Sequence, residues 1–187
     1  MANNNSANVS FGKPKATGAI FVAPTGTTLP TDATTALDAA FTNLGYASED
    51  GLVNSVETSV ENIKAWGGDT VLVSQTEFTE TFTVNLIETN AETLKAYYGA
   101  ANVEVDDQTG GIKVVQNSQM LPEVSVVFEL ALTGGRVKRI VIPRAQMADR
   151  SGEITYVDGE AIAYPAVFTA LPDQNGNTHE EYVALTA

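Results

Sequence analysis

The chain has 187 residues, no cysteine and a formal net charge of -13, which excludes a disulfide framework, a zinc-thiolate site and a thiol nucleophile. A pI near 4.3 argues against a surface that grips nucleic acid or an anionic membrane, because both need a basic footprint. A hydrophobic fraction of 43%, a charged fraction of only 18% and many Thr, Val and Ala residues point to one domain with a sizeable core, mainly β.

Taken in order, residues 1–12 are Asn-rich and read as a flexible arm ahead of a single domain, 13–187. The opening MANNNSANVSFGKPK lacks the apolar core of a secretory signal, and no later run is long enough to span a membrane. The expectation is a protein made in the cytosol, without membrane insertion. Gly18 to Pro24, an apolar run closed by proline, is the first strand. Asp32 is placed to cap a short helix in which Leu37, Phe41 and Leu44 share a face and Gly45 ends the turn.

Residues 46–69 are less settled. Val53, Val56, Val60 and Ile63 recur at helix-like intervals, yet Val56, Thr58 and Val60 equally permit a strand. The stretch is read as a long acidic loop between early strands, of a length that needs a purpose such as partner binding. Trp66, the sole tryptophan, is expected to close the core, with an interface anchor as the alternative.

Thr76 to Glu88 alternates with a period of two. Phe78, Phe82, Val84 and Leu86 form a dry face interrupted by Glu80, which is expected to reach solvent or a neighbouring subunit. Thr79, Thr81, Thr83 and Asn85 form the wet face. A helix over about Asn90–Tyr98 follows, capped by Thr89 with Glu92 as a capping box or by Asn90, and stopped at Gly99. Val103 to Asp107, a turn at Thr109-Gly110-Gly111, and Ile112 to Val115 read as a hairpin or a small flap. Val124 to Leu132, a Gly134-Gly135 turn and Arg136 to Ile142 make the clearest hairpin. Ile154 to Val157, a turn at Asp158-Gly159, and Ala161 to Ala170 form the last strands, and THEEYVALTA adds an edge strand.

A search for chemistry yields no catalytic, cofactor or metal assignment. His179 is the single histidine, read as a surface residue. The HEEYV stretch lacks the second histidine of a zinc-protease helix, and no G-x-S-x-G, Walker or dinucleotide glycine pattern is present. Asp173 to Asn177 resembles half a calcium loop, but Ala184 stands where a bidentate glutamate would be needed, so a turn is the better reading.

Charge is segregated along the chain. Residues 48–107 are strongly acidic, 108–150 are basic, and 151–187 contain acids and no Lys or Arg. This reads either as ordinary solvated surface or as complementary surfaces that meet between subunits.

The phrases GAIFVAPTGTTLPTDATTALDAAFTNLGYASEDG, WGGDTV, TFTVNLIETNAETLKAYYG, GRVKRIVIPRA and AYPAVFTALPD together resemble the major tail protein, or tail tube protein, of long-tailed non-contractile bacteriophages, from about Gly12 to Asp173. The resemblance implies a structural virion protein, not an enzyme. Its implied fold is a β-sandwich or barrel-like core with one flanking helix and a long early loop. Hexameric rings would stack into a tube through which DNA passes without specific binding, with a tape measure and a tail terminator among its partners. Candidate contacts between rings are Glu49, Asp50, Glu57, Glu61 and Trp66 on the 46–69 segment, set against Arg136, Lys138, Arg139 and Arg144. Thr79, Thr81, Thr83 and Asn85 are the candidate lumen-facing residues. The inner tube of a contractile tail or injection device, and a stand-alone β-sandwich that binds carbohydrate or a receptor, are the alternatives.

Overall fold

The computed structural model describes residues 4–147 and 152–185. Strands β1 (Gly12–Pro14), β2 (Ile20–Pro24), β3 (Thr42–Asn43), β4 (Ala47–Lys64) and β5 (Thr70–Leu86) precede helix α1 (Ala91–Tyr98). A small hairpin of β6 (Val103–Val105) and β7 (Ile112–Val114) comes next. The long hairpin of β8 (Val124–Leu132) and β9 (Arg136–Gln146) follows, then β10 (Tyr164–Ala170) and β11 (Glu180–Leu185).

Among the described residues all strands but β6 and β7 belong to one hydrogen-bonded sheet, in the order β3-β2-β8-β9-β10-β5-β4, with β1 also on β8 and β11 also on β9. The junction of β9 and β10 is short, with Thr169 opposite Gln146, Ala170 opposite Ala145, and the Leu171 amide donating to the Arg144 carbonyl at 2.8 Å. The sheet turns a corner there and folds into two layers, a sandwich that is not closed into a barrel. One layer is β10-β5-β4 and the other is β3-β2-β8-β9 with β1 and β11. Phe82 of the first layer stacks on Phe128 of the second at 5.8 Å between ring centres, and Phe128 meets Phe168 edge-on at 6.4 Å. Each ring is almost wholly buried, which stabilises the fold by about 2–3 kcal/mol per side chain.

The alternation in β5 is realised where the strand crosses the body: Phe82, Val84 and Leu86 are buried while Thr81, Thr83 and Asn85 are half-buried on the other face. Phe78, expected on the dry face, is exposed, because the strand has left the body by then. Of the two candidate caps for α1, Asn90 is used. Its side-chain oxygen accepts from the Thr93 amide at 2.9 Å, while the Thr89 hydroxyl pairs with the Tyr164 hydroxyl at 3.1 Å. Gly99 ends the helix with a positive φ of 96°, and its amide donates to the Lys95 carbonyl. The buried residues of α1 are Thr93, Leu94 and Tyr97, and the Thr93 hydroxyl donates to the Leu44 carbonyl at 2.8 Å.

Four expectations are corrected. No helix forms between Asp32 and Gly45: the Asp32 carboxylate accepts from the amides of Thr34 and Thr35, both at 2.6 Å, and closes a turn instead. Short acceptor side chains compete with the helical backbone in this way, and the intervening threonines do not oppose it. Only Leu44 of the three expected apolar residues is fully buried. Residues 46–69 are not a loop but chiefly strand β4, paired with β5. No strand forms at Ile154–Val157, and β10 begins at Tyr164 rather than Ala161. Pro165, which has no amide to donate, lies where β10 has β5 as its only neighbour. Ahead of β2, the Phe11 amide donates to the Thr133 hydroxyl at 3.0 Å and β1 pairs with β8.

Candidate assembly surface

The most prominent feature is the ribbon made by β4 and β5. Its pairing continues from Leu52 opposite Val84 to Lys64 opposite Thr70, with irregularities between Ser59 and Val60 and between Ile63 and Lys64. Neighbouring strand β10 stops at Ala170 opposite Glu80, so beyond that point the ribbon has no other layer. Every residue from Glu57 to Thr79 is exposed. These include Val60, Ile63, Val71, Leu72, Val73 and Phe78, each about half exposed or more. An isolated two-stranded ribbon is marginally stable in water, and a concentration of exposed apolar side chains marks a surface that another protein covers.

At the tip the Ala65 amide donates to the Asp69 carbonyl at 2.8 Å and the Gly68 amide to the Ala65 carbonyl at 3.0 Å. Gly67 and Gly68 have φ of 122° and 99°, a conformation that side chains disfavour, and this is why the turn is built on a Gly-Gly pair. Trp66 stands fully in solvent, at 107% of its reference exposure, so the expectation that it closes the core is overturned.

The root of the ribbon is fixed by Glu80. It was expected to reach solvent or a neighbour, but it is 2% exposed. Its carboxylate accepts from Asn54 Nδ2 at 2.8 Å, from the Thr178 hydroxyl and from His179 Nδ1 at 3.0 Å. Burial pushes its pKa up, but the hydrogen bonds from Thr178, Asn54 and His179 outweigh this and hold it below the usual carboxylate range. His179, read from sequence as a surface residue, is half-buried, with its ring edge-on to Phe82 at 5.5 Å. One carboxylate thus ties β4, β5 and the approach to β11 together where the ribbon departs. Sequence reasoning missed this cluster because Thr178 and His179 lie almost a hundred residues from Glu80 along the chain; the signal available was an acid on an otherwise apolar face.

The basic residues are mostly engaged within the protomer. Arg139 is 1% exposed, forms an ion pair with Glu129, and donates from Nη1 to the Asp32 carbonyl at 2.7 Å. It is therefore removed from the expected contacts. Both faces of β9 are covered here, and the turn at Asp32 lies over one of them. Lys15 adds a second cation to Glu129 at 2.9 Å. Arg144 forms a bidentate pair with Glu123 at 3.0 and 3.1 Å, and Lys138 pairs with Glu181 at 2.6 Å. Arg136 donates to the Thr133 carbonyl and the Ser10 hydroxyl. Of the acids, Glu57 and Glu61 stand on the exposed ribbon. Glu49 and Asp50 lie near its root, where Asp50 accepts from Ser48 and Asn85.

Thr79, Thr81, Thr83 and Asn85 share the outward face of the β4-β5-β10 layer with Ser55 and Thr169, which lie beside Thr81 on the flanking strands. No Lys or Arg occurs at the outward positions of these three strands alongside β5 residues 79–85.

A sandwich carrying a long ribbon with uncovered apolar side chains is the build of a protein made for contact with other proteins. The particular family follows from the sequence match: a family model described as phage tail tube protein covers residues 1–185, and the chain belongs to that family. It is a structural protein of the phage tail, assembling with itself and with other tail proteins. No curated protein matches the chain.

Proposed function

We propose that this tail tube protein polymerises as hexameric rings that stack into a tube, and that the bore of the tube is the path of DNA into the host. The observation that carries the reading is the β4–β5 ribbon, whose apolar residues between Val60 and Phe78 have no cover within the protomer. A head-to-tail contact that closes makes a ring and one that does not close makes a filament, so a stacked tube uses both. The ribbon is the arm between rings, with Glu57, Glu61 and Trp66 as its contacts and Glu49 and Asp50 at its base. Arg136, Lys138 and Arg144 remain receiving cations, each exchanging an internal partner for one on the next ring. Thr79, Thr81, Thr83 and Asn85 face the lumen. A wall of hydroxyls and amides without fixed cations suits a duplex that must slide, because each neutralised phosphate adds binding. A tape measure inside the tube and a terminator at its end are the further partners.

Electron microscopy of the purified full-length protein tests this. The expected result is tubes with a central channel, an axial repeat and six-fold cross-sections; a species that stays monomeric at high concentration overturns it.

A further inference from the structure

A groove of about 430 Å³ opens between α1 and the second layer of the sandwich, a size usual for pockets that receive an apolar group. Its lining includes Val22, Leu44, Ala96, Leu121 and Phe168, and its charged residues are Glu92, Lys95 and Glu123, the last already held by Arg144. Glu92 and Lys95 pair with each other at 3.1 Å in an exposed setting, where such pairs are weak and exchange partners readily. The ribbon tip presents the complementary set. Trp66 is a large uncovered apolar group, flanked by exposed Lys64 and Asp69, one base and one acid.

The two features also have the right polarity. The ribbon leaves β5 at Glu80, whereas α1 follows the opposite end of the same strand, beyond Leu86. The tip stands about 30 Å beyond Glu80 at the usual rise of a strand. It is therefore held away from its own groove and carried towards the next copy. A plug at one end of a strand and a socket at the other form a heterologous contact that repeats without limit.

We propose that the groove beside α1 is the socket for the ribbon tip of a second copy of this chain. Trp66 enters the groove, Lys64 meets Glu92, and Asp69 meets Lys95. The inference rests on the tube reading and adds to it the surface that receives the arm.

Because Trp66 is the only tryptophan and the chain has no cysteine, the test is direct. Intrinsic emission of assembled tubes is compared with that of monomers, and Asp69→Cys protein is mixed with Lys95→Cys protein, assembled and oxidised. The expected results are a shift of the emission to shorter wavelength, protection from a soluble quencher, and a disulfide-linked dimer that neither variant forms alone. Trp66→Ala is expected to raise the concentration needed for assembly by about tenfold or more, as for an aromatic anchor, with the monomer's circular dichroism unchanged. Ala96→Phe, which fills the groove, is expected to do the same with the emission left at its monomer position. Tubes whose Trp66 emission stays at its solvent value and which give no cross-link overturn the socket and leave the tube reading intact. Cross-linking of Lys95→Cys to Val9→Cys instead assigns the groove to a neighbour's N-terminal arm and also overturns it. A wild-type chain that never assembles overturns both readings.

Discussion

Glu80 is a carboxylate on an apolar face, and such a group persists only if its lone pairs are satisfied. Asn54, Thr178 and His179 supply the donors, so removing the acid strands three polar groups at the root of the ribbon. Glu80→Ala is expected to destabilise the monomer by about 2–4 kcal/mol in urea unfolding, and Glu80→Gln by less, since the amide oxygen still accepts. The pKa of Glu80 is lowered in the folded state, so its contribution is complete above the unfolded value near 4.5 and is lost as pH falls through the lower folded value. Stability measured against pH below about 4.5 should therefore fall more steeply for the wild type than for Glu80→Gln. Arg139 and Glu129 form a buried charged pair. Arg139→Ala should cost about 3–5 kcal/mol, whereas Arg139→Met with Glu129→Leu should restore much of it. Charge reversal at Arg139 consequently reports on folding rather than on polymerisation. At this scale the sequence was least legible. Trp66, Glu80, Arg139 and His179 were all placed by residue type, and what decided each was which distant segment lay over it.

Among the elements, the β8–β9 hairpin and α1 were legible because their signals are local: alternation around a Gly-Gly turn, and a cap followed by a glycine stop. The stretch from Asp32 to Gly45 misled because its apolar spacing suits a helix while its Asp and Thr side chains make turns. The β4 segment was ambiguous because its valines fit two periods, and only pairing with β5 selects the strand. The ribbon is held by a single ladder and no second layer, so its amides are open to exchange. Hydrogen exchange in the monomer should be fast for residues 57–79 and slow for 80–86, with the fast set protected after assembly. Replacing residues 60–75 by an Asn-Gly turn should leave the melting temperature of the body nearly unchanged and abolish tubes in electron micrographs. A body that unfolds on this change would mean that the ribbon stabilises the domain rather than the assembly.

For the molecule as a whole, a net charge of -13 makes copies repel one another before contact. Assembly followed by light scattering should accelerate as ionic strength rises from about 0.01 M to 0.15 M, because the Debye length shrinks from about 30 Å to about 8 Å. An assembly held mainly by exposed ion pairs would slow instead. Chain composition and the order of its phrases were enough to assign the family and a mainly β fold, since both depend on patterns read along the chain. The corner between β9 and β10, the exposure of the ribbon and the groove beside α1 depend on contacts between residues far apart in the chain. Alternation states that a strand has two faces, but only the packed neighbours determine which stretch of that strand is left uncovered.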